Sequence, residues 1–177
     1  MAKYNVGIIG CGAIFNRHVI AINENKNIFN LVAICDNDLK TLKKINTSSK
    51  KYYDYKEMIA KSNINFVVIA TPNGYHKEQA IHSLKNGCDV LIEKPVALSV
   101  RCVEEILSVA KKFNQKAYCV LQVRKNDTVK IIKKCLSDKF LGDIRSVSLT
   151  QRWQRPISYF EGWRNEPSLG GGLLHEI

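Results

Sequence analysis

The sequence lacks several features that would assign it to other classes of protein. No apolar run approaches 18 residues, so we expect no membrane span and no membrane partner. No internal repeat or low-complexity linker interrupts the 177 residues. The chain enters an apolar strand almost at once, which leaves no room for a signal peptide. We therefore expect a cytoplasmic protein with one large domain, or with one domain and part of another.

Closely spaced cysteines are also absent. The six cysteines never fall two or four positions apart, which excludes the spacings of zinc knuckles and thioredoxin-like motifs, and we expect no metal site. Most lie within or beside apolar runs, so we interpret them as small buried hydrophobic residues in a reducing compartment. They are Cys11, Cys35, Cys88, Cys102, Cys119 and Cys135.

Acidic residues are few compared with basic ones. The chain has 16 Asp and Glu against 27 Lys and Arg, which gives a formal net charge of +11. Such a field attracts phosphates and nucleic acids, but the lysines are scattered through predicted helices and turns, as on a solvated surface. We therefore expect a small phosphorylated ligand and no nucleic acid, and a basic nucleic-acid binder stays only as an alternative.

One stretch near the N-terminus organises the rest of the chain. An apolar strand over residues 6–9 enters a Gly-x-Gly turn that opens a helix, and a second apolar strand ends at Asp36. Gly10 would form the tight turn, Gly12 would let the backbone approach a pyrophosphate, and the amides from Ala13 onward would face that anion. Asp36 would accept hydrogen bonds from a ribose and repel a 2'-phosphate, which favours NAD over NADP.

Phe15 departs from this dinucleotide-binding pattern. It stands at the sixth position, where Gly or Ala usually lets the helix pack closely on the strand. Either the helix stands off slightly, or the ring turns into the core.

Strands and helices then alternate, which predicts an α/β fold with a doubly wound parallel Rossmann sheet. The pattern predicts strands over residues 66–70, 89–92 and 117–121, each followed by a polar turn. Ligands of such sheets bind at the carboxyl ends of the strands, so these turns should lie near the cofactor. Helices are predicted over residues 39–45, 55–61 and 75–86, and from Ser99 onward.

The character of the sequence changes near residue 125. The pattern predicts a basic helix over residues 127–140 and a half-buried strand over 144–150, followed by an aromatic and arginine-rich stretch at 152–164. One helix and one strand cannot close a core. We therefore predict an NAD-binding Rossmann domain over residues 1–124 and the beginning of a second α/β domain over 125–177, and we expect the chain to be truncated.

Four motifs together resemble one family. They are Gly10-Cys11-Gly12-x-Ile14 with His18, Thr71-Pro72-Asn73 with His76, Glu93-Lys94-Pro95, and the run Gly170-Gly171-Gly172. This order resembles the Gfo/Idh/MocA oxidoreductases, the glucose–fructose oxidoreductase and inositol dehydrogenase family. The resemblance implies hydride transfer between NAD and a sugar or polyol. It also implies a C-terminal α/β domain that lines the substrate site and mediates homo-oligomerisation in the full-length protein.

The resemblance also implies roles for individual residues. Gln122-Val123-Arg124 resembles members that oxidise UDP-activated amino sugars at C3 for surface polysaccharides, so we expect a nucleotide-sugar substrate that contacts Lys94, Arg124 and Arg155. The catalytic candidates are Lys94 and His175, the latter standing where many members have a carboxylate or amide after the glycine run. Cofactor contacts are implied for Gly10, Gly12, Ala13, Ile14, Asp36, Thr71, Asn73, His76, Glu93, Lys94, Gln122, Trp163 and Arg164.

The chemistry of these side chains leaves alternatives open. An ordinary lysine has a pKa of about 10.4, so Lys94 would orient the substrate hydroxyl and stabilise negative charge rather than act as a base; otherwise it is a surface lysine. His18 is interpreted as structural, and His76 as either a helix cap or a neighbour of the cofactor. Arg124 and the three arginines of the 152–164 stretch either bind a pyrophosphate or line a solvated face. A non-catalytic NAD-binding module remains the main alternative function.

Overall fold

Six parallel strands form one sheet in the computed structural model, which describes residues 3–171. The spatial order is β3-β2-β1-β4-β5-β6. Strands β2 and β3 are added on one side of β1, and strands β4 to β6 on the other, so the strand order reverses between β1 and β4. This order is the doubly wound one, so the predicted Rossmann sheet is confirmed. The strands are β1 (Tyr4–Ile9), β2 (Phe29–Cys35), β3 (Lys50–Tyr52), β4 (Phe66–Ile69), β5 (Asp89–Ile92) and β6 (Ala117–Cys119).

Helices connect the strands, and three of them begin at a side-chain cap. Asp38 accepts hydrogen bonds from the amides of Lys40 and Thr41, while Asp54 and Ser99 each accept one amide of the helix that follows. The α-helices are α1 (Phe15–Glu24), α2 (Leu39–Lys44), α3 (Tyr55–Lys61), α4 (His76–Lys85), α5 (Val100–Lys112) and α6 (Asp127–Ser137). Short 3-10 turns follow β4 at Asn73–Tyr75 and β6 at Gln122–Lys125, and three more occupy Ile157–Phe160, Gly162–Asn165 and Pro167–Leu169.

The core has two layers, one on each face of the sheet. Ile9 and Ile69 pack with residues of α3, α4 and α5 on one face. Val6 and Ile8 pack with residues of α1 and α2 on the other, because successive strand residues point to opposite faces. The Phe15 ring is buried in this second layer, so the ring turns into the core.

Two predicted elements of the C-terminal part differ in the structure. Residues 144–150 form no strand, and Val147 and Leu149 are 85% and 88% exposed. A strand needs a hydrogen-bonded neighbour, and the described sheet gives this segment none, so the prediction of a strand there is wrong. The helix predicted to reach Phe140 ends at Ser137, since Lys139 has a φ of 53°, outside the helical region.

Candidate active site

The turn after β1 is built so that only glycine fits at its first position. Gly10 has a φ of 95°, and its amide donates to the carbonyl of Cys35 at 2.8 Å. A Cβ atom there would lie 2.6 Å from the carbonyl oxygen of Ala70 and 2.9 Å from the amide nitrogen of Thr71. Gly10 therefore lets β1 pass closely beside the end of β4, at the point where the strand order reverses.

Gly12 and Ala13 lie beyond this turn and are exposed. No heavy atom lies within 4 Å of an added Cβ at Gly12, so the space in front of its backbone is open. The N-terminus of α1 has no side-chain cap at Ile14 and no acidic residue in its first turn. Within this helix start, the amides of Phe15 and Arg17 already donate to the carbonyls of Gly12 and Ile14. The amides just before them, from Gly12 to Ile14, are therefore the ones placed to bind an anion such as the pyrophosphate of a dinucleotide.

Asp36 follows β2 and lies beside this turn. Its Oδ2 accepts the amide of Cys11 at 2.7 Å, and its Oδ1 accepts the amide of Asp38 at 2.8 Å. Burial, and secondly the Asp36 charge, raise the pKa of the neighbouring Cys11 and Cys35 thiols to about 12. The carboxylate is thus held in a fixed orientation, whereas the thiols stay protonated and supply no nucleophile.

The turn after β4 is connected to its surroundings by His76 and Asn73. His76 is fully buried, and its ring nitrogens lie 2.8 Å from the carbonyl oxygens of Thr71 and Pro95. Its side chain therefore does not cap the helix, but joins the turns after β4 and β5. Thr71 donates its hydroxyl to Gln79 at 2.6 Å.

The turn after β5 contains Glu93 and Lys94. Glu93 Oε1 lies 2.8 Å from Nε2 of His18 on α1, and its Oε2 accepts the Lys94 amide at 3.2 Å. Burial alone would raise the pKa of Glu93, but the hydrogen bond and charge of His18, together with the Lys94 amide, hold that pKa below its ordinary value. The Glu93 carboxylate is therefore ionised and links α1 to the turn after β5. Its hydrogen bond to the Lys94 amide holds the backbone of Lys94 in place.

The remaining predicted residues lie after β6. Gln122 and Arg124 occupy the exposed 3-10 turn over Gln122–Lys125. Arg155 and Arg164 both stack on the ring of Tyr159, at 4.7 and 4.5 Å from its centroid, and Arg164 also stacks on Trp163. The structure thus brings these two arginines together. His175 lies outside the described residues.

A late segment of the chain packs on the turn after β4. Asn73 is buried, and its side-chain amide donates to the carbonyl of Gly170 at 3.2 Å. A Cβ at Gly74 would lie 2.7 Å from the carbonyl oxygen of Ser168, and one at Gly170 would lie 2.8 Å from Cβ of Asn73. The turn that contains Trp163 and Arg164 packs on this same segment, since a Cβ at Gly171 would meet the Arg164 carbonyl. That turn therefore lies close to the turn after β4.

Sequence reasoning missed the contact between His18 and Glu93. His18 lies one helical turn beyond Ile14, so it projects from the part of α1 nearest the carboxyl ends of the strands. That spacing was the available indication, but it does not identify a partner 75 positions later in the chain.

Comparison with known proteins identifies the family. The family model described as an oxidoreductase family with an NAD-binding Rossmann fold, Gfo/Idh/MocA, matches residues 4–121. The chain belongs to this family. Its six-stranded sheet is therefore the family's NAD-binding Rossmann domain.

Proteins similar to this chain include a diol dehydrogenase, a sugar-phosphate dehydrogenase and a dehydrogenase solved with a nucleotide sugar. The WlbA dehydrogenase of Bordetella pertussis, solved in complex with NADH and UDP-GlcNAcA, superposes with a TM-score of 0.87 at 29% identity, over 91% of this chain and 49% of that one. The trans-1,2-dihydrobenzene-1,2-diol dehydrogenase of Xenopus laevis is 29% identical over 97% of this chain and 52% of its own length. Glucose-6-phosphate 3-dehydrogenase of Bacillus subtilis is 30% identical over 81% and 41%. The chain thus spans about half the length of the curated relatives it matches.

Residues 3–171 contain neither a candidate membrane span nor a candidate metal cluster. None of the helices there is both long and apolar enough to cross a membrane. No group of three or more His, Cys, Asp or Glu side chains in that range is arranged to hold a metal ion. The polar groups that meet at the sheet edge are those of the turns described above.

Proposed function

We propose that this chain supplies the cofactor half of an NAD-dependent oxidoreductase acting on a secondary alcohol of a sugar, with a nucleotide-linked amino sugar as substrate. The observation that carries the proposal is the convergence of an open glycine turn, Asp36 and Lys94 at the carboxyl edge of one sheet. The substrate class is supported by similarity to WlbA and by Gln122-Val123-Arg124. We place the activity in the cytoplasm, in surface polysaccharide biosynthesis.

In this proposal NAD lies across the point where the strand order reverses. The amides of Gly12, Ala13 and Ile14 hold its pyrophosphate, because the N-terminus of α1 has uncapped donors and open space before it. Asp36 accepts the ribose hydroxyls with the lone pairs that its two backbone donors leave free. When bound, the nicotinamide supplies a hydride acceptor.

Lys94 acts on the substrate hydroxyl. Oxidation of a secondary alcohol breaks its C–H bond, with the hydride leaving toward the cofactor, and passes the hydroxyl proton to a base. The Lys94 ammonium orients that hydroxyl and stabilises the negative charge that develops on its oxygen. We propose His175 as the second catalytic group, and Thr71, Asn73, His76, Glu93, Gln122, Trp163 and Arg164 as the residues that enclose the cofactor.

The substrate's diphosphate contacts arginines in this proposal. A guanidinium binds phosphate oxygens in pairs, and its charge persists when water is excluded. Arg155 is ordered by stacking on Trp153 and Tyr159, so it loses little freedom when it binds an anion. Arg124 lies in the turn that directly follows β6, next to the carboxyl edge. Residues 125–177 would then begin the substrate and oligomerisation domain.

The test uses the full-length polypeptide with NAD and UDP-GlcNAcA. We expect turnover, measured as NADH absorbance, and expect Lys94→Ala to lower kcat by about 10² or more while the NAD dissociation constant changes little. Lys112→Ala, at the far end of α5, is the matched control and should leave both quantities unchanged. Unchanged kcat in Lys94→Ala would remove Lys94 from the mechanism. NADH binding without oxidation of any UDP-sugar would instead support a non-catalytic NAD-binding module.

A further inference from the structure

Two histidines on different helices hold the turn that carries Lys94. His18 on α1 contacts the Glu93 side chain at 2.8 Å, and His76 on α4 contacts the Pro95 carbonyl at 2.8 Å. The residues on both sides of Lys94 are therefore anchored to other elements. The His18 and Glu93 side chains are only 11% and 13% exposed, so water competes little with their contact.

The His18 contact connects two parts of the proposed site. α1 begins at the glycine turn, whose amides face the predicted pyrophosphate, and His18 lies within the first turns of this helix. Glu93 receives His18 on one carboxylate oxygen and the Lys94 amide on the other. A displacement of α1 is thus transmitted to the start of Lys94 through one side-chain contact and one backbone hydrogen bond.

A shielded contact between an imidazole and a carboxylate contributes little to stability by itself, because removing both polar groups from water costs about as much as their attraction returns. The contact with His18 instead fixes the orientation of the Glu93 carboxylate, since a hydrogen bond to a carboxylate is short and directional. That orientation also fixes the acceptor of the Lys94 amide.

We propose that His18 is a positioning residue that couples nucleotide binding at the N-terminus of α1 to the placement of Lys94, through Glu93. This inference rests on the proposed role of Lys94 beside the cofactor. It assigns His18 a function that it exerts without touching the cofactor or the substrate.

The test follows the acylation rate of the Lys94 amine, measured by peptide mapping and mass spectrometry, with and without ADP. ADP carries the diphosphate but no nicotinamide, so it occupies the glycine turn without covering Lys94. We expect ADP to change the Lys94 rate by about fivefold or more in the wild-type chain. His18→Ala and Glu93→Gln should abolish this change, whereas His18→Gln, which restores a donor to Glu93, should keep it. Arg17→Ala, exposed on the same helix, is the control and should behave as wild type.

The melting temperature and the ADP dissociation constant of each variant show that it is folded and binds. An ADP effect that persists in both His18→Ala and Glu93→Gln overturns the proposal, as does the absence of any ADP effect in the wild type. Because the assay requires no turnover, it separates this coupling from the proposed dehydrogenase activity. A chain that shows the coupling but oxidises no sugar would contradict only the latter.

Discussion

The two glycines of the first turn give a paired prediction, because the structure assigns them different tasks. Gly10→Ala places a Cβ against the backbone of Ala70 and Thr71, at 2.6 to 2.9 Å, in a residue whose φ is 95°. The strained backbone costs about 1–3 kcal/mol, and the forced separation of β1 from β4 costs about 1–3 kcal/mol more. Gly12→Ala meets no atom within 4 Å and should leave the free energy of unfolding nearly unchanged.

Gly10→Ala should therefore lower stability, whereas Gly12→Ala should lower cofactor affinity. With a loss of about 3 kcal/mol and a urea m-value of about 2 kcal/mol/M, Gly10→Ala lowers the urea midpoint by roughly 1.5 M. Gly12→Ala keeps the midpoint but weakens NADH binding, measured by fluorescence titration, because its methyl group occupies the space proposed for the pyrophosphate. The reasoning is refuted if Gly12→Ala binds NADH as the wild type does, or if Gly10→Ala keeps the wild-type urea midpoint.

Three further predictions concern the charge, the buried histidine and the ring beside this turn. Asp36→Asn keeps the shape of the side chain but removes its charge, so the ratio of NAD to NADP affinity should fall by about tenfold or more in calorimetric titrations. Burial lowers the pKa of His76 despite its two carbonyl partners, so the unfolded chain takes up the proton first as the pH falls. Stability should therefore decrease below about pH 6.5, and in pH-dependent urea denaturation His76→Gln should flatten this decrease. His82→Gln should flatten it less, because His82 is more exposed. Phe15→Ala should lower the free energy of unfolding by about 3–5 kcal/mol, measured by urea denaturation, since the ring is buried in the core.

Local patterns were sufficient to predict most of the sheet. Residues 66–69 are apolar without interruption because β4 is buried on both faces, and such a run is recognisable without knowledge of its neighbours. Asp54 and Ser99 mark helix starts through hydrogen bonds to amides two or three residues away. These interactions lie within a few residues of chain, so the sequence contains all the information that they require.

The segment over residues 144–150 shows where local pattern fails. Alternation of apolar and polar residues predicts a strand, but a strand also requires a neighbour that supplies its hydrogen bonds. That neighbour is not determined by the alternating residues themselves. The alternation is real, yet Val147 and Leu149 remain exposed.

In the candidate site, too, the positions of residues were predictable from local pattern but their contact partners were not. The Gly-x-Gly turn and Asp36 were predictable because each lies directly after a strand, and parallel strands end at one edge. The partners were not predictable, since His18 and Glu93 lie 75 positions apart and Asn73 and Gly170 lie 97 apart. Periodicity assigns a residue to a face or an edge but does not say which side chain it meets there.

The glycine run illustrates what such a partner adds to a sequence motif. The resemblance places Gly170 in a run that leads to the catalytic candidate His175. In the structure Gly170 has a φ of 80°, and a Cβ on it would collide with Asn73 and Leu98. Gly74 faces this segment with the same requirement, because its own Cβ would meet Ser168. Both glycines thus permit two backbones to approach, so the late segment is fixed against the turn after β4 by close packing as well as by the Asn73 hydrogen bond.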